Sequence, residues 1–270
     1  MDFESRRQRI LDKMEDNSIA ILYSGIEHHV SADEYDLFTA QANRNFFYLT
    51  GLRRDNMVLV MDKCVEPAKT MLFIEEADPT MERWYGRKVT MEEAEEISGI
   101  DEIEYIYELE STLDRIMTRE DVYTAYFDTY RHQKADLPDY NVVKANEFKT
   151  DYPGVAVKNL FPLVAEERMQ KDDDEVELTK KAIALTKDGL CNVMANLKPG
   201  MKEYQAQADF EYIIRRGGAE WTAFPTIAGS GMNGTMLHYD TNRETMEDGT
   251  LVLLDLGARI DGYNSDITRT

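Results

Sequence analysis

Cysteine is almost missing from this chain. Cys64 and Cys191 stand far apart and share no CxxC spacing, which excludes a disulfide framework and a zinc knuckle. Long apolar runs are missing too: no window approaches the ~20 residues that a membrane-spanning helix needs. The opening "MDFESRRQRILDKMEDNS" is charged throughout and lacks the apolar segment of a signal peptide. Positive charge is in deficit, with 31 Lys and Arg against 52 Asp and Glu, a formal net charge of -21. That balance opposes non-specific binding to nucleic acid or anionic membrane, both polyanions. Neither partner is expected, and a cytoplasmic enzyme or binding protein is. Glycine and proline, at 15 and 7 residues, are too few for a fibrous or disordered chain. What remains is long and apolar enough to bury a core in one large or two medium domains.

The first part of the chain alternates strand and helix signals. A helical spacing of Phe3, Ile10, Leu11 and Met14 leads into the apolar strand "SIAILYSG", followed by "NMVLVMD" and "KTMLFIEE". The acidic stretch "TMEEAEEISGIDEIEYIYELE" reads as helix, short strand, helix, and "VYTAYFD" as a further strand. This alternation implies an α/β layer architecture for residues 1–165. From 166 onward the pattern changes. Asp172, Asp173 and Asp174 open a long helix, where the macrodipole favours anions. Ile183, Leu190, Val193, Met194 and Leu197 form its expected apolar stripe, and Pro199-Gly200 stops it. A second helix over 202–216 and several Gly-linked strands suggest an α+β domain for residues 166–270.

The end of that domain, "LLDLGARIDGYNSDITRT", places Asp255 directly after the aliphatic run Leu251-Val252-Leu253-Leu254. A carboxylate at the end of a buried strand costs several kcal/mol unless it is compensated. If Asp261-Gly262 forms the two-residue hairpin loop its chemistry favours, Ile260 faces Tyr263 and Asp255 faces Thr268. Asp266 then lies on the same face, diagonal to Asp255 and roughly 7–8 Å away. Two such acids can close on one cation, or on two about 3.5–4 Å apart. Hard oxygen donors suit magnesium- or manganese-like ions better than copper or structural zinc. A solvated hairpin with chance acids is the alternative. His238, one of four histidines, sits in "TMLHYDTN" beside Gly229, Gly231 and Gly234, which let backbone approach a ligand closely. A hydrogen-bonded structural histidine is the competing reading.

The stretch "LKPGMKEYQAQADFEYIIRRGGAEWTAFPTIAGSGMNGTMLHYD" and the tail "DGYNSDITRT" resemble the creatinase/prolidase/aminopeptidase P branch of the pita-bread metallopeptidases. "NRNFFYLTGL", "RWYGRK" and "RMQK" resemble the N-terminal domain of aminopeptidase P. The resemblance implies a creatinase-like α/β N-terminal domain joined to the first half of a pita-bread domain. It implies that Asp255 and Asp266 match the first two of five ligands to two divalent metal ions, usually Mn2+, with Asp266 bridging. His238 would contact substrate, and Trp84 and Arg87 would narrow access to the site of a neighbouring subunit in a homo-oligomer, dimer or tetramer. For Trp84 a packed aromatic beside a surface arginine is the alternative. The implied reaction is hydrolysis of the bond between an N-terminal residue and proline, in peptides with proline second.

One His and two Glu that complete the family's metal site have no counterpart up to Thr270. The chain is accordingly expected to be the N-terminal portion of a longer protein, binding metal weakly and turning over little or nothing alone. Two rival functions follow from the same resemblance. An Xaa-Pro dipeptidase (prolidase) shares the metal half, although "FFYLTGL" and "WYGRK" favour the aminopeptidase. Non-catalytic pita-bread binding modules usually lack the ligand carboxylates, and both are present here.

Overall fold

The computed structural model describes residues 1–27, 29–31, 34–35 and 42–270. Two compact units divide between Gln170 and Lys171, with Met1 grouped with the second. Helix Phe161–Met169 buries Val164 in the first unit's core, so the division falls after that helix, a few residues later than the change of sequence pattern.

The first unit is built on a six-stranded mixed sheet. Its order is Glu102–Tyr105, Lys69–Ile74, Val58–Asp62, Ser18–Tyr23, Thr124–Phe127, Ala156–Asn159. Ser18–Tyr23 pairs antiparallel with Val58–Asp62 on one side and parallel with Thr124–Phe127 on the other. All six residues of Ser18–Tyr23 and all five of Val58–Asp62 are buried, which is why they read as continuous apolar runs without alternation. Successive side chains feed opposite faces. Ala20 and Leu22 join a core with the helices Phe3–Lys13 and Arg44–Thr50, while Ile19, Ile21 and Tyr23 join one with Leu109–Met117 and Tyr140–Asp151.

Two helices on the first face end on one buried cation. Arg7 is 3% exposed, and its Nη1 donates to Leu49 O and Ser98 O, each at 2.8 Å. These carbonyls belong to the last turns of Arg44–Thr50 and Met91–Ser98, so the guanidinium satisfies orphan acceptors at the negative ends of both helix dipoles. Burial pulls the Arg7 pKa down to about 10, which leaves the group charged at neutral pH.

In the second unit the long helix runs Asp173–Asn196, opened by an Asp172/Glu175 capping box. It packs on Glu203–Arg216. The expected apolar stripe is corrected here: Ile183 and Met194 are 44% and 66% exposed, while Ala182, Thr186, Gly189, Leu190 and Val193 face inward. Close approach explains the small residues, since a Cβ at Gly189 would lie 2.6 Å from the Phe210 ring. Two three-stranded sheets complete the unit: Ile227–Ser230, Val252–Leu256, Ile267–Arg269, and Tyr263–Asn264, Ala258–Ile260, Trp221–Thr222. The α/β-then-α+β organisation is the one the sequence implied. Among the described residues no helix is long and apolar enough to cross a membrane.

Candidate metal centre

The hairpin forms in the expected register. Asp261 and Gly262 both take positive φ, 49° and 81°, as a type I′ turn requires. Ile260 pairs with Tyr263, and further along Asp255 pairs with Thr268. Between these ladders the hairpin passes from one sheet to the other at Gly257 and Ser265. Ser265 Oγ and Thr186 Oγ1 lie 2.6 Å apart, and the Ala258 amide is shared between them at 3.1 and 2.8 Å. These buried hydroxyls fix the crossing to the long helix. There is no room for a side chain opposite: a Cβ at Gly257 would overlap the Ser265 carbonyl and lie 2.8 Å from Ala223 Cβ. Gly257→Ala is therefore expected to lower stability by about 2 kcal/mol through overpacking, read as a lower urea midpoint.

The crossing brings the two acids together. Thr268 Oγ1 donates to Asp255 Oδ1 at 2.6 Å, which orients that carboxylate. The Asp266 carboxyl is held above its ordinary range by desolvation, then by the charge of Asp255 and a hydrogen bond with it. Two carboxyl groups that close, with no cationic side chain bonded to either among the described residues, are a donor set that fits a divalent cation. They are not a complete centre. Among the described residues no group of three or more His, Cys, Asp or Glu could hold a metal.

His238 lies in the loop after a 3-10 turn, Gly231–Thr235, exposed and making no hydrogen bond among the described residues. The structure does not tie it to the acid pair. Its loop is nonetheless fixed by a residue that sequence reasoning passed over. Glu203, at the start of Glu203–Arg216, is fully buried. Its Oε1 accepts from Ser230 N and Oγ, both at 2.8 Å, and from Asn233 Nδ2 at 3.1 Å. Its Oε2 accepts from Tyr239 OH at 2.7 Å and Glu244 N at 3.0 Å. Burial alone would raise its pKa, but the bonds from Tyr239, Ser230 and Asn233 prevail and bring it down to about 2. Asn242 pins the same loop further on: it accepts from Ala228 N at 3.0 Å and donates to Thr226 O at 2.7 Å. A single acid just after a Pro-Gly stop carries no sequence signal of this kind.

Trp84 and Arg87 stand in the first unit. Trp84 is 80% exposed on Pro79–Tyr85, a helix that buries none of its residues, so the packed-aromatic alternative is set aside. Arg87 is ion-paired with Glu93.

Residues 3–126 match the family model for the aminopeptidase P N-terminal domain, and residues 177–270 that for metallopeptidase family M24. The curated Xaa-Pro aminopeptidase of Escherichia coli K12 is 31% identical over 100% of this chain and 61% of its own length. A solved structure described as an aminopeptidase P from Bacillus anthracis matches with TM-score 0.94 and 39% identity, over 99% of this chain and 63% of that one. Zn-substituted E. coli aminopeptidase P in complex with product matches with TM-score 0.86 and 30% identity, over 99% and 61% of the two chains. Two further structures of the E. coli enzyme each carry one aspartate changed to alanine. The chain thus spans about three fifths of the length of these relatives. The second of the two matched spans is that of a metallopeptidase family. Residues 177–270 thus match metallopeptidase family M24, behind a span, residues 3–126, that matches the aminopeptidase P N-terminal domain.

Proposed function

We propose that this chain carries the access surface, the substrate loop and the first metal carboxylates of an Xaa-Pro aminopeptidase. The pairing of Asp255 with Asp266 on one face of the hairpin supports this reading most strongly. The aspartates replaced in the two E. coli variant structures are spaced along their chain as Asp255 and Asp266 are along this one.

An Xaa-Pro bond offers no N–H, and the ring restricts both its own φ and the preceding residue. Peptidases that grip substrate as an extended strand lose a hydrogen bond there. Divalent ions, when bound, supply Lewis-acid polarisation and an activated water that need no such grip. Asp255, oriented by Thr268, and Asp266 would hold two such ions together with ligands from outside the described residues, and their hard oxygens favour Mn2+. His238, on the loop anchored by Glu203, would donate a hydrogen bond to the substrate oxygen as charge develops. Trp84 and Arg87 would limit access at a neighbouring subunit of a dimer or tetramer.

The experiment is metal-dependent release of the N-terminal residue from Ala-Pro and Ala-Ala peptides of three or more residues. The protein carrying this chain is expected to cleave only the proline peptides, and only with metal. Equal cleavage of Ala-Ala peptides, or cleavage in chelator, would overturn the assignment. With the Ala-Pro dipeptide assayed beside them, a preference for the dipeptide would give the prolidase reading instead. The 270 residues alone are expected to turn over little, and robust turnover by them would show that the missing ligands are not needed.

A further inference from the structure

The first unit contains a cleft of about 880 Å³ between the helices Leu109–Met117 and Tyr140–Asp151, on the sheet face opposite Arg7. Its walls mirror each other. Glu110 and Asp114 stand one turn apart on the first helix, and Glu147 and Asp151 one turn apart on the second. Like charges at i,i+4 destabilise a helix, and here both helices carry that burden toward the same space. One cation lines the cleft: Lys144, whose Nζ bonds Glu147 at 2.8 Å. Asp114 accepts from Tyr152 OH at 2.7 Å. Glu110 and Asp151 have no partner among the described residues.

The floor supplies an independent sign of a ligand. Tyr23 is 8% exposed, its ring set edge-on to Tyr140 with centroids 5.4 Å apart. Its hydroxyl makes no hydrogen bond among the described residues, yet is not one of the fully buried unsatisfied atoms. The ring is therefore sealed in the core while the hydroxyl opens onto the cleft. Burial, then the neighbouring Tyr140, then the charges of Glu147 and Glu110 raise its pKa, so both acids act on that hydroxyl. A buried phenol with an unused oxygen, aromatic rings and facing carboxylates suit a ligand that is apolar along its length and positive at separated points.

We propose that this cleft binds an aliphatic polyamine, its methylenes lying over the Tyr23–Tyr140 floor and its ammonium groups between Glu110 on one wall and Asp151 on the other. The peptidase reading plays no part in it, and both sets of groups belong to the first unit.

Spermidine is the probe, titrated into the whole chain and followed by calorimetry and by the Tyr23 ring resonances at about 0.1 M salt, where diffuse surface attraction is screened. Saturable binding with a Kd of about 1 mM or tighter is expected. The double change Glu110→Gln with Asp151→Asn should weaken it about tenfold, and because it removes repulsion these exposed positions stay folded. Tyr23→Phe should weaken it about threefold, one neutral hydrogen bond's worth. A control pair on another acidic helix, Glu92→Gln with Glu95→Gln, should leave it unchanged. Equal weakening by the control pair, or full competition by equimolar Mg2+, would show bulk acidity alone and overturn the proposal. So would the absence of saturation by about 10 mM, or binding of a lysine-rich peptide without binding of spermidine.

Discussion

Asp266→Asn is expected to cut the affinity of the chain for Mn2+ at least about 100-fold while making the metal-free chain slightly more stable. The two effects share one cause. Asp266 sits beside Asp255, and desolvation, then the charge of Asp255, hold its carboxyl above the usual range. Without a cation that proximity is a repulsion, and removing it returns under about 1 kcal/mol at so exposed a site. On the proposed reading, the same proximity would form the binding site once a cation is present. Losing even an outer partner of a ligand costs 10–100-fold in affinity, and here one of two donors goes. Asp255→Asn should behave alike, and Thr268→Val, which only frees the orientation of Asp255, should lose about tenfold. Manganese EPR of the free ion, run beside urea unfolding, reads both quantities. Loss of metal together with loss of stability would mean the variant damages the hairpin, not a site.

The second large effect belongs to Glu203. Its folded pKa of about 2 lies below the ordinary 4.5, so the unfolded chain binds its proton first as pH falls. The stabilisation is fully present above about pH 4.5 and is lost progressively as pH drops toward 2. A gap of that size corresponds to about 3 kcal/mol by proton linkage. Glu203→Gln should therefore be about 3 kcal/mol less stable at pH 7, because an amide nitrogen replaces an oxygen that accepted two hydrogen bonds. Its stability should also decline less steeply than wild type between pH 4.5 and 2. Parallel acid-unfolding curves for the two proteins would refute the assignment. Hydrogen exchange at the Ser230 and Glu244 amides locates the effect, since both bond Glu203.

Most of the strand and hairpin organisation was legible because it rests on local chemistry. Asp261-Gly262 specifies its turn by the φ values these residues tolerate, and a period of two carries the register back to Asp255 and Thr268. Ser18–Tyr23 and Val58–Asp62 announce themselves by unbroken apolar runs, since both their faces are covered. The helix Asp173–Asn196 was legible at its capped start but not on its buried side. Gly189 and Thr186 face inward because of what sits across from them, the Phe210 ring and the Ser265 hydroxyl, and no window of the helix's own sequence contains that. Glu203 escaped for the same reason: its donors lie 27 to 41 positions later. The helix Pro79–Tyr85 leaves Trp84 bare, against the expectation that large aromatics pack.

The turn at Asp261-Gly262 acts as a ruler for chemistry at the far end of the ribbon. One residue inserted there would slide the returning strand by a single step, and side chains on a strand alternate sides. Asp266 would swing to the opposite surface and Ser265 would take its place beside Asp255. A length change of one amino acid, far from both carboxylates, would thus separate them without touching either.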